Sequence, residues 1–159
     1  MKTLLTILVL SFVLFPIKVY AHCEIPCGIF DDSATFAKMM ENAQTIKKSM
    51  VEINKLSAQE TIDHHGITRW TMNKEDHAIK IQETVSRYFL AQRVKLPADN
   101  ADEAALADYT KHTTLLHEII VTAMKTKQTL DTSAVDRLRD AITAYKEHYY
   151  KDHEGDHAH

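Results

Sequence analysis

SATFAKMMENAQTIKKSMVEIN, residues 33–54, decides the fold. Its apolar positions Phe36, Met39, Ala43, Ile46, Met50 and Ile53 recur in steps of three and four, which draws one continuous stripe down one face of a helix. Asp31, Asp32 and Ser33 stand just ahead of the stripe as capping residues. Between residues 33 and 152 only Gly66 and Pro97 interrupt a chain rich in Ala, Leu, Lys, Glu and Met.

The rhythm returns three times. Asp63-His64-His65-Gly66 reads as a loop that ends the first helix, with Gly66 as its turn residue. A second helix is expected from about Thr71 to Arg93, with Ala78, Ile81, Val85 and Tyr88 as its stripe, before Pro97 and Asp99-Asn100 punctuate the chain. The third is expected from about Asp102 to Lys127, on Leu106, Tyr109, Leu116, Ile120 and Ala123. The fourth starts near Ser133, where Ser133 and Asp136 have the spacing of a capping box, and buries Val135, Leu138, Ile142, Tyr145 and Tyr149. Four amphipathic helices on short connections must hide four stripes, and packing around one core hides all of them. The expected fold is all-α, a four-helix bundle over residues 33–152, followed by a disordered His-rich tail at 153–159. His153, His157 and His159 of that tail offer only loose, unspecific chelation of spare nickel or copper.

The bundle by itself names no activity. No Glu-x-x-His pair lies within residues 33–152, which argues against the di-iron chemistry that such bundles often carry. A formal charge of −3 without a long basic stripe argues against nucleic acid as the main partner. The helical histidines His112, His117 and His148 read as surface or satisfied core groups, and His64-His65 as solvated loop residues.

The first residues are of a different kind. Met1-Lys2 is a basic start, Leu4 to Phe15 is an apolar run, and Val19-Tyr20-Ala21 ends in a small residue. Lys18 breaks the run short of the roughly 20 residues that a membrane span needs. Residues 1–21 therefore read as a signal peptide removed after Ala21, giving an exported product, periplasmic or secreted, with no stable membrane association. Both cysteines, Cys23 and Cys27, follow at once. A bridge between them would close too small a loop to restrain the unfolded chain much.

Residues 22–32 read instead as a metal-binding hook preceding the bundle. Cleavage frees the α-amine of His22, whose ordinary pKa of about 7.7–8.0 lets a metal displace its proton near neutrality. That amine, with the amide nitrogen and thiolate of Cys23, can close fused chelate rings. Pro26 and Gly28 help the chain turn so that the Cys27 thiolate fills the remaining corner. Two nitrogens and two sulfurs in a square plane suit Ni(II) or Cu(II) better than zinc. The His22 imidazole is placed to add a fifth, axial ligand.

The run His22-Cys23-Glu24-Ile25-Pro26-Cys27-Gly28-Ile29-Phe30-Asp31 resembles the nickel hook of the nickel superoxide dismutases. The close match covers about ten residues, and Thr68-Arg69 and the helical remainder agree in position and architecture. The resemblance implies an enzyme that converts superoxide to dioxygen and hydrogen peroxide by Ni(III)/Ni(II) cycling, with one nickel ion per chain and assembly as a homohexamer. It carries the ligand roles onto His22, Cys23 and Cys27. Departures concern the surroundings. Phe30 stands where the family often has Tyr, and Glu24 where it has Asp. Lys38 stands at the ungapped position of a family Glu that supports the axial imidazole, so Glu41, nearly one turn later, is expected in that role. The family Arg that supports the same imidazole is replaced near His77.

Other readings of the hook remain. An exported nickel or copper carrier would bind metal without turnover. A copper site braced by an N-terminal His has no use for two thiols, and a thiol–disulfide protein would place its cysteines at a helix start that lowers a thiol pKa.

Overall fold

The computed structural model describes residues 30–153. The expected signal segment, hook residues 22–29 and the tail from 154 onward lie outside them. Four helices follow in order: α1, Asp32–Ser57; α2, His64–Glu83, running on into a π-helical stretch, Thr84–Arg93; α3, Glu103–Lys127; and α4, Ser133–His153. No strand occurs among the described residues.

Hydrogen bonds between helices fix their directions. Asp32 meets Tyr88, Asn42 meets His77 and Ser49 meets Asn73, so numbers fall along α2 as they rise along α1. Gln82 reaches Ile120 while Lys74 reaches Thr126, and Asp32 meets Tyr149 while Lys47 meets Asp136. Neighbours in sequence are thus antiparallel neighbours in space, and α4 packs back on α1 to close the ring. This is the expected four-helix bundle.

All six apolar positions of the opening stripe are buried in its core, as are Ala78, Ile81, Val85 and Tyr88 of the second and Val135, Leu138, Ile142, Tyr145 and Tyr149 of the fourth. The third stripe is displaced. His112, Leu115, Leu116, Ile119, Ala123 and Thr126 face inward on α3, whereas Leu106 is 46% exposed and Ile120 only half-buried. The inward face runs through His112, Leu116 and Ala123, and Leu106 lies about 120° round the helix from it, at roughly 100° per residue.

Two helix starts also differ from expectation. His64-His65-Gly66 is the first turn of α2 rather than a loop, because the Asp63 carboxylate accepts the Gly66 amide at 2.9 Å. Gly66 suits that turn for a steric reason: a Cβ there would overlap the capping carboxylate. At α4 no Ser133–Asp136 box forms. Asp131 takes the Ser133 amide (2.9 Å) and hydroxyl (2.6 Å), and Asp136 instead accepts from Lys47 on α1 at 2.7 Å.

One buried cation ties the end of the bundle that holds the α1–α2 connection. Lys74 is 3% exposed, and its ammonium donates to the carbonyls of Thr126 (3.1 Å) and Lys127 (2.5 Å), the unpaired end of α3. Glu75 lies 3.1 Å from the same nitrogen. Replacing Lys74 by Met should lower unfolding free energy by about 1–3 kcal/mol, since two buried carbonyls lose their donor. Urea denaturation at neutral pH checks this, and an unchanged midpoint would show that the carbonyls find other partners.

Candidate metal centre

The hook joins the bundle at Phe30, and the residues that receive it come from three parts of the chain. The Asp32 carboxylate accepts from Tyr88 at 2.8 Å on one oxygen, and from Tyr149 at 2.7 Å and Arg93 at 2.8 Å on the other. Arg93 Nε also donates to the Tyr149 hydroxyl at 2.9 Å. The Arg93 guanidinium lies 4.3 Å from the centre of the Phe30 ring, and Tyr88 meets that ring edge-on at 5.6 Å. Phe30 and Asp32 are therefore clamped side by side.

The π-helical stretch makes the clamp possible. Its wider winding, seen where Val94 N–H bonds Phe89 C=O at 2.9 Å, brings residues five apart onto nearly one face. Tyr88 and Arg93 are such a pair. At 3.6 residues per turn they would diverge. Burial alone would raise the Asp32 pKa, but hydrogen bonds from Tyr149, Tyr88 and Arg93 outweigh it and hold the carboxyl below its usual range. Burial, then the hydrogen bond to Asp32, pushes the Tyr149 hydroxyl well above its ordinary value.

Part-way along the bundle, His77 of α2 faces α1. Its Nδ1 lies 2.8 Å from Oδ1 of Asn42, a buried residue. An amide oxygen can only accept, so Nδ1 carries the proton and Nε2 of the neutral ring keeps its lone pair. Burial, then the charges of Lys80 and Lys38, lowers the His77 pKa and keeps the ring neutral at physiological pH. Glu41, the neighbour of Asn42, is exposed and paired with Lys38 at 2.9 Å, which lowers its pKa. Glu41 and His77 thus sit at one level of the bundle, but the group that accepts the His77 Nδ1–H is Asn42 rather than Glu41. The ligand candidates His22, Cys23 and Cys27 lie outside the described residues.

Residues 17–153 match the family described as nickel-containing superoxide dismutase. The chain belongs to that family. It is a superoxide dismutase, an oxidoreductase with nickel as its cofactor and superoxide as its substrate. Two solved nickel superoxide dismutases share the fold. A native form has a TM-score of 0.58 at 20% identity, over 84% of this chain and all (100%) of that one. A form described as partially reduced by X-rays has 0.57 at 21% identity, over 82% and 97%. No curated protein sequence matches the chain.

Within the dismutase, sequence reasoning missed Asn42 and the whole Asp32 clamp. A polar residue on the apolar face of the first stripe was the available signal for Asn42. For the clamp there was none, since its partners are 56, 61 and 117 residues from Asp32.

A carboxyl whose folded pKa is depressed stabilises the fold above its unfolded pKa, about 3.9, and loses that contribution as pH falls through the folded value. Asp32→Asn should therefore cost about 2 kcal/mol at neutral pH and flatten the loss of stability in acid. Urea midpoints between neutral pH and the acid limb measure both, and parallel pH profiles for parent and variant would deny Asp32 this role.

Proposed function

We propose that dismutation takes place at a nickel ion held by His22, Cys23 and Cys27 of a chain cut after Ala21. The observation that carries this reading is the run His22-Cys23-Glu24-Ile25-Pro26-Cys27-Gly28, which leads directly into the clamped Phe30 and Asp32. The donor set fits the metal: an amine, a backbone amide and two thiolates suit Ni(II), and their electron donation brings Ni(III) within reach. Nickel, when bound, supplies the one-electron couple by which superoxide becomes dioxygen and peroxide.

The protein's own groups do the rest. The two thiolates and the amide of Cys23 would donate electron density to the metal, and the α-amine of His22 would join them only when cleavage has exposed it and its proton has been displaced. The eight residues 22–29 reach at most about 28 Å when extended. Asn42 lies about 15 Å along α1 from Asp32, so His22 can return to the level of His77. There the Nε2 lone pair of His77 would accept the His22 ring N–H, the part that Glu plays elsewhere in the family, while Asn42 fixes the ring. Glu41 contributes through its charge and its hold on Lys38. Lys38 and Lys80 are the cations beside His77, with Glu41 and Asp76 as their counter-charges.

The same reading makes residues 1–21 a signal peptide and the enzyme an exported one, periplasmic or secreted. None of the described helices is long and apolar enough to cross a membrane, which accords with a product that leaves the membrane after cleavage. The homohexamer finds support in apolar side chains left exposed, such as Met72 (61%) and Ile79 (40%), two turns apart on α2. A carrier that binds metal without turnover leaves unexplained the match to a dismutase family along the bundle as well as the hook.

The test is N-terminal sequencing, metal content and superoxide consumption on one purified sample. A chain starting at His22 with one nickel per chain is expected. Cys27→Ser, or any residue left ahead of His22, should abolish nickel retention and activity. His77→Gln should retain nickel yet lose about tenfold to a hundredfold in turnover. Full activity with residues remaining before His22 would remove the α-amine from the ligand set.

A further inference from the structure

A second cluster of metal-ligating side chains lies on α3 and α4. Asp108 and His112 are four residues apart on α3 and so share one face, a turn from each other. His148 faces them from α4. Asp108 Oδ2 is 3.7 Å from His112 Nε2, and Asp108 Oδ1 is 3.3 Å from His148 Nε2. The two imidazoles stand 4.4 Å apart, centre to centre, at 55°. One donor atom from each of the three residues can be chosen so that all lie within 4.8 Å of one another.

Ligands about 2.0–2.1 Å from a tetrahedral ion stand about 3.3 Å apart. The two shorter separations are already near that value, and small side-chain rotations close the third. His112 is held from behind, its ring edge-on to Tyr145 at 5.8 Å and to Tyr149 at 6.4 Å. Asp108 and His112 line a groove of about 570 Å³ shared with Tyr109 and the segment from Arg93 to Ala98. Three protein ligands beside an open groove leave a fourth position for water or a small anion.

We propose that Asp108, His112 and His148 form a divalent metal site distinct from the N-terminal hook. Two imidazole nitrogens and one carboxylate oxygen suit zinc or a similar first-row ion, whereas magnesium and calcium prefer all-oxygen shells. Bound there, the ion ties α3 to α4 beside Tyr149, at the end of the bundle that receives the hook.

The test uses the nickel-loaded full chain, dialysed against zinc(II) with a weak competing chelator, and reads zinc per chain and melting temperature. His153, His157 and His159 are replaced by Asn in a second full-length chain, so that binding by the tail is separated. One zinc beyond the nickel is expected in both chains, with a rise in melting temperature. Asp108→Ala and His148→Asn, at partly exposed positions that the fold should tolerate, are expected to weaken zinc at least about tenfold and abolish that rise. Their metal-free melting temperatures and nickel content should stay near the parent's. Cobalt(II) in place of zinc should give visible bands of a four- or five-coordinate site in the parent and lose them in His148→Asn. Zinc uptake that is absent from the tail-substituted chain, or that survives Asp108→Ala and His148→Asn unchanged, would leave the cluster as an ion-paired contact and overturn the proposal.

Discussion

The Asp32 carboxylate is the point on which one end of the bundle depends. It opens α1, yet its three partners are Tyr88 and Arg93 from the π-helical stretch and Tyr149 from α4. Removing it would strand two buried hydroxyls and a guanidinium facing one another, so the clamp stands or falls as a unit. The position matters because the residues read as the hook lead straight into it. In the site proposed above the ligands come from residues 22–27, ahead of the bundle. Their registration against the bundle must come from where the chain leaves it, and Phe30 and Asp32 fix that point.

The opposite end is tied differently. Lys74 closes the carbonyl end of α3, and its buried ammonium satisfies groups that a helix terminus leaves open. Between the two polar ties the core is almost wholly apolar, from Phe36 and Phe89 through Met50 and Ile119. Apolar packing supplies most of the burial but says little about register, because neighbouring ridges can slide by a turn at modest cost. Two polar ties at opposite ends set the register that stripes alone leave loose. Asn42–His77 and Ser49–Asn73 add to it along the α1–α2 seam.

Most of this fold is legible in the sequence because helical periodicity is a local signal. Every apolar residue named for the first, second and fourth stripes is buried. The third misled at Leu106 because the buried face of α3 includes His112 and Thr126, polar residues that an apolar stripe passes over. The start of α2 misled because His64-His65-Gly66 has the composition of a turn, while the capping bond from Asp63 turns it into a first helical turn. The Ser133–Asp136 spacing misled because Asp131 competes better for the Ser133 amide and Lys47 claims Asp136. The hook proposed for nickel rests on a local signal too: His22, Cys23 and Cys27 fall within six residues. The π-helical stretch, the Asp32 clamp and the Asp108–His112–His148 cluster join residues that no local pattern connects.

Phe30 shows how the clamp and the hook constrain each other. The family often has Tyr at this place, and Phe offers no hydroxyl to a water or substrate. The ring here is engaged on its face by Arg93 and at its edge by Tyr88. The Tyr88 hydroxyl, in turn, is committed to Asp32 and points to the carboxylate. The hydroxyl beside residue 30 is thus that of Tyr88, where it holds a carboxylate in place. An aromatic at residue 30 is then required for packing against a cation, and its polar tip is dispensable. The residues from His22 to Ile29 are long enough to reach the α1–α2 seam, where Asn42 already holds the His77 ring.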